Sequence, residues 1–107
     1  LMTQASDQLS AFTQDLSLNS PSCPIILNRV AEPESNVSNL QENIGLQVKS
    51  PVKWTQTIQY LEASGVDTII ECGPGRVLSG LIKKTTSTIT PININSVDAL
   101  TTFLDNN

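Results

Sequence analysis

From Val66 to Asn95 the sequence runs strand, glycine turn, helix, strand. Val66-Asp67-Thr68-Ile69-Ile70-Glu71-Cys72 is a β-branched, aliphatic run, and Gly73-Pro74-Gly75 breaks it. Val77, Leu78, Leu81 and Ile82 then recur at helical spacing, with Lys83 and Lys84 in the last turn, where cations suit the helix dipole. Thr88 to Asn95 is strand-like again, with Pro91 marking an edge or an interruption. The same alternation extends upstream and downstream, giving helix, strand, helix, helix, strand, helix, strand, helix. That order predicts an α/β fold with a mainly parallel sheet.

Upstream, Met2, Ala5, Leu9, Phe12 and Leu16 form one apolar stripe of an amphipathic helix that ends at Asn19-Ser20-Pro21-Ser22. Pro24 to Val30 is a short aliphatic run between prolines and is expected as a buried strand, followed by a polar surface loop from Ala31 to Asn36. A second helix starts at Ser35 or Asn36, with Ser38 or Asn39 near the cap, and carries Val37, Leu40, Ile44 and Val48, weakened at Gly45 by up to about 1 kcal/mol. Ser50-Pro51 predicts a capped helix start with Pro in the first position, running through Trp54, Ile58 and Leu61 to a Gly65 cap. A last helix with Val97, Leu100, Phe103 and Leu104 follows a Ser96 cap. Three strands are few for such a sheet, so strands from further sequence are expected to complete the core, an expectation that fits a chain opening Leu1-Met2-Thr3 with a helical pattern already running.

With 107 residues there is room for one small domain and not for separate catalytic and substrate domains. Six Lys and Arg against ten Asp and Glu leave a net charge of -4, which provides no basic surface for a nucleic acid or an anionic membrane. No run approaches the roughly 18 apolar residues of a membrane span, and no signal peptide opens the chain. The absence of histidine removes the commonest general base and metal ligand, so neither a self-contained triad nor a zinc site is expected. Cys23 and Cys72 lie too far apart for a CxxC motif and read as reduced thiols of a cytoplasmic protein.

The turn at Gly73 to Gly75 has two readings. A strand, a glycine turn and a helix N-terminus can receive a phosphate, yet the dinucleotide fingerprint requires Gly where Leu78 stands, and no GK[ST] is present. The alternative is a tight turn that packs helix on strand. Glu71, at the carboxyl end of its strand, is either a catalytic carboxylate or a solvated or locally bonded one. Cys72 has no base to activate it and reads as packing, and Trp54 reads as a core anchor.

Ser50-Pro51-Val52-Lys53-Trp54, Gly65-Val66-Asp67 and the run from Glu71-Cys72-Gly73-Pro74-Gly75-Arg76-Val77-Leu78 to Leu81 together resemble the C-terminal third of bacterial malonyl-CoA:acyl-carrier-protein transacylases. Leu1-Met2 matches the family's "PLM" before a long helix, Arg76 replaces its usual Lys, and Cys72 its usual Val or Ile. The resemblance implies that residues 1–107 are part of an α/β-hydrolase-like acyltransferase large subdomain with an incomplete core. It also implies ping-pong acyl transfer, in which a Ser of a GHSxG elbow, a His base and a carboxylate-binding Arg move malonyl from malonyl-CoA through a seryl ester to the phosphopantetheine thiol of acyl carrier protein in fatty-acid synthesis.

None of those three residues is in the chain, and the resemblance places the His a few residues before Leu1. Two positions carry over. Gln47, four residues before Pro51, would orient the catalytic His through its main-chain carbonyl, and Val77 would line the acyl pocket. Coenzyme A thioester and phosphopantetheine enter as substrates, with no separate cofactor and no metal. The implied partners are malonyl-CoA, acyl carrier protein and the missing N-terminal part of the enzyme. Two alternatives stand beside this reading: a polyketide-synthase acyltransferase, and a non-enzymatic interaction or nucleotide-binding module built on the Gly73 to Gly75 turn.

Overall fold

The computed structural model describes residues 2–107. Leu1, with its half of the Leu1-Met2 match, lies outside the described residues. The described chain follows the expected alternation with one strand added, β2: α1 (Thr3–Gln14), β1 (Ile25–Leu27), β2 (Glu32–Glu34), α2 (Val37–Leu46), a 3-10 turn (Gln47–Lys49), α3 (Trp54–Ala63), β3 (Thr68–Cys72), α4 (Val77–Thr85), β4 (Thr90–Ile94) and α5 (Val97–Asp105). It divides into two units, one running through Thr57 and the other from Ile58 to Asn107. No described helix is long and apolar enough to cross a membrane.

In the first unit, α1 and α2 pack at Gly45. Ser6 is buried and its hydroxyl donates to the Gly45 carbonyl at 2.7 Å, while a Cβ on Gly45 would stand 1.8 Å from Ser10 Oγ. Gln41 of α2 donates its amide to the Thr13 and Leu16 carbonyls, closing the C-terminus of α1, whose last carbonyls have no partner within the helix. The face of α1 turned to α2 is therefore its serine and threonine face. The apolar stripe read from the sequence exists, but Met2, Phe12 and Leu16 are exposed and Ser6 and Thr13 are buried in their stead.

The strand expected from Pro24 to Val30 stops at Leu27. There the chain turns through Asn28 to Ala31, with the Val30 and Ala31 amides both donating to the Leu27 carbonyl and Ala31 buried at φ 56°. The turn brings back β2 antiparallel to β1, pairing Ile25 with Glu34, Ile26 with Pro33 and Leu27 with Glu32. The segment read as a loop is thus a strand, polar and proline-bearing because it is an edge. Asn36 caps α2 by accepting from the Asn39 amide at 3.1 Å. Ser50-Pro51 does not start α3: the Ser50 hydroxyl donates back to the Leu46 carbonyl at 2.7 Å, and the Lys53 amide is taken by Asn28 of the hairpin turn at 2.9 Å. The helix begins only at Trp54.

In the second unit, α3 ends as its glycine predicts. Gly65 stands at φ 85°, and the Gly65 and Val66 amides return to the Glu62 and Leu61 carbonyls, each at 3.0 Å. β3 and β4 pair in parallel, from Thr68 with Thr90 to Cys72 with Ile94, the arrangement expected for strands joined through a helix. Ile82 and Ile89 are buried, and so are Glu71 and Ser79. Glu62 ties α3 to the loop before β4, accepting from the hydroxyls of Thr86 and Thr88. Ser96 caps α5 through the Ala99 amide at 3.0 Å.

Candidate functional site

The parallel pair ends at Glu71-Cys72, and the chain reaches α4 through a turn in which Gly73 and Gly75 both take positive φ, 126° and 81°. Only glycine adopts such angles freely. The residue before α4 is Arg76, whose side chain makes no capping bond. The cap comes instead from Glu71. Its Oε2 accepts the Leu78 amide at 3.0 Å, and its Oε1 accepts the Ser79 amide at 2.9 Å and the Ser79 hydroxyl at 2.6 Å. Asn93 of β4 donates Nδ2 to Glu71 Oε1 at 3.2 Å and to the Gly75 carbonyl at 2.9 Å.

The Ser79 hydroxyl holds the Glu71 carboxyl below its ordinary range, against the opposing pull of desolvation, and the Ser79 and Leu78 amides and the Asn93 side chain add to the lowering. Glu71 is thus the locally bonded carboxylate of the two readings. It also closes the phosphate reading of the turn, since the helix amides that would meet a phosphate already hold an anion. Ser79 and Asn93 were not singled out from the sequence. The available signal was indirect: a helix preceded by Gly-Arg, with no Ser, Thr, Asp or Asn at its cap, needs an acceptor from elsewhere.

In the first unit, Gln47 closes α2 and opens the 3-10 turn. It lines an apolar groove of about 300 Å³ together with Leu18, Ile25, Leu27, Leu40 and Ile44. The Gln47 carbonyl accepts the Ser50 amide at 3.4 Å, beyond the usual 2.9–3.0 Å of an N–H···O bond, and its second lone pair has no intrahelical claim. Val77, in the second unit, is the first residue of α4 and is 73% exposed. Cys23 and Cys72 are free and exposed. Among the described residues no three His, Cys, Asp or Glu side chains gather as a metal site.

No protein-family model matches the chain. Individual relatives do. The malonyl CoA-acyl carrier protein transacylase of Escherichia coli K12 is 32% identical over 105 residues, which is 98% of this chain and 34% of that protein. Along nearly its whole length the chain is thus similar to about one third of that enzyme. Solved structures agree with the sequence relation. An acyl carrier protein S-malonyltransferase from Vibrio cholerae superimposes with a TM-score of 0.86 at 33% identity, over 95% of this chain and 33% of its own. A malonyl-transacylase in complex with a type II PKS acyl-carrier protein reaches 0.89 at 31% identity, over 99% of this chain and 34% of its own. The transacylase likeness thus extends through both units, while the chain spans about a third of the length of these relatives.

Proposed function

We propose that residues 1–107 form part of an acyltransferase domain that moves malonyl from malonyl-CoA to the phosphopantetheine thiol of acyl carrier protein in fatty-acid synthesis. The observation that carries this reading is the match to the Escherichia coli transacylase along 98% of the chain. In this reading a Ser nucleophile, a His base and a carboxylate-binding Arg come from further sequence; the chain itself has no histidine to serve as the base of a seryl-ester reaction. This third supplies the Gln47 carbonyl, which orients the His N–H, and Val77, which lines the acyl pocket. Coenzyme A and phosphopantetheine thioesters are substrates, and no further cofactor is required. The setting is cytoplasmic, where both thioesters are met.

A chimera tests the reading. The matching third of the Escherichia coli transacylase is replaced by this chain, and transfer from malonyl-CoA to acyl carrier protein is measured. Transfer is expected, Gln47→Ala lowers it modestly because the carbonyl is main-chain, and Ser50→Pro lowers it by about 10²–10⁴, the worth of a positioned base. Ser50→Pro removes both the amide that reaches Gln47 and the hydroxyl that reaches Leu46. A folded chimera without transfer overturns the proposal. A second reading, polyketide synthesis, draws on the complexed relative, whose carrier is of the type II PKS class. Comparing fatty-acid and polyketide carriers in the same assay separates the two.

A further inference from the structure

We infer that Glu71 is a positioning residue, whose carboxylate fixes the first turn of α4 and with it the place of Val77. The inference deepens the proposed function by naming what holds Val77, and it rests on that function only for the use to which Val77 is put. Packing does not hold this region. Val77 is 73% exposed and Leu78 44%, and a Cβ built on Gly73 or Gly75 would meet nothing within 4 Å. The backbone there is held by hydrogen bonds: the Gly73 amide donates to the Ile94 carbonyl at 3.0 Å, and those at the start of α4 converge on one side chain.

Glu71 takes the amides of the second and third residues of α4, the two donors a local cap would take, across the turn from the end of β3. Asn93 bridges the same carboxylate to the Gly75 carbonyl, so the turn, the helix start and the end of β4 share one anchor. Asn93 Nδ2 makes both bonds of this bridge, and its Oδ1 is buried without a partner. Other charges near the anchor are few. β4 carries no titratable side chain, α4 carries Lys83 and Lys84 only in its last turn, Cys72 follows Glu71 in the chain and Arg76 precedes α4.

Nuclear magnetic resonance of the 107-residue chain, recorded from pH 7 down to pH 2, tests the inference. The Leu78 and Ser79 amides and the Val77 methyls are expected to shift in one common step, with a midpoint below that of an ordinary glutamate, as the carboxylate protonates. In Glu71→Gln that step disappears and the Val77 methyls stand at the acid-form position at every pH. Glu71→Asp, shorter by one methylene, restores the step and part of the amide shifts.

Val77 methyls that stay unmoved through the step, or an unchanged Val77 in Glu71→Gln, overturn it. Should Glu71→Gln fail to fold, the titration of the unsubstituted chain decides alone. Neither measurement uses malonyl transfer, so an inactive chimera leaves the anchor standing, and a failed titration leaves the transfer reading standing.

Discussion

Gly45 and Glu71 each satisfy a demand that a single residue type meets. At Gly45 an added methyl would lie 1.8 Å from Ser10 Oγ and 3.0 Å from Ser10 Cα, so Gly45→Ala forces α1 and α2 apart. The gain of about 1 kcal/mol in helix propensity is outweighed, and a net loss of about 1–3 kcal/mol is expected from urea unfolding. Ser10→Gly in the same background removes the nearest two atoms and recovers part of it. Glu71 makes stability depend on acid. Its folded-state pKa is lowered, so its contribution is complete above the ordinary carboxylate range and disappears as pH falls through the folded value. Glu71→Gln should therefore melt below the parent chain at neutral pH, with the gap closing as the pH drops through that range. A gap that widens in acid would contradict the hydrogen-bond assignment.

Among the elements, the starts of α2 and α5 and the end of α3 follow local chemistry, while the starts of α3 and α4 and the face α1 buries do not. Ser96→Ala should cost about 1 kcal/mol, the usual value of a lost N-cap, because the hydroxyl is the acceptor for Ala99. The Gly65 and Ser96 caps were legible in the sequence because a cap is a contact within a few residues, whereas the cap of α2, expected near Ser38 or Asn39, is Asn36. The α/β alternation was legible for the same reason, each strand and helix being a short-range pattern. β2 was not legible, since Glu32-Pro33-Glu34 pairs only because the turn at Ala31 returns it to β1. Ser50-Pro51 misled because the Lys53 amide is claimed by distant Asn28. The buried side of α1 was misread because close helix approach at Gly45 selects small side chains over large ones. At the candidate site, Glu71 was visible but its role was not, since Ser79 and Asn93 reach it from eight and 22 residues away. Phe12→Ser, on the exposed side of α1, should change stability by no more than about 0.5 kcal/mol in the isolated chain.

At the scale of the whole chain, apolar surface and strand edges are the dominant features. Each described sheet has two strands and therefore two edges, and Met2, Phe12, Val97 and Leu104 are all more than half exposed. The isolated chain is expected to associate with itself or with another polypeptide, seen as concentration-dependent sedimentation; a monodisperse monomer with a cooperative melt would refute this. It is also expected to form no malonyl adduct when incubated with malonyl-CoA and weighed by mass spectrometry, since it carries no histidine to serve as base and no GxSxG elbow. The outward Met2 and Phe12 at α1 have a further consequence inside a cell. Chaperones and proteases recognise unburied apolar side chains, and a chain that displays them on a well-formed helix will be treated as unfinished however well that helix is folded. The lifetime of these 107 residues in a pulse-chase should lengthen when the sequence that covers α1 is made alongside them.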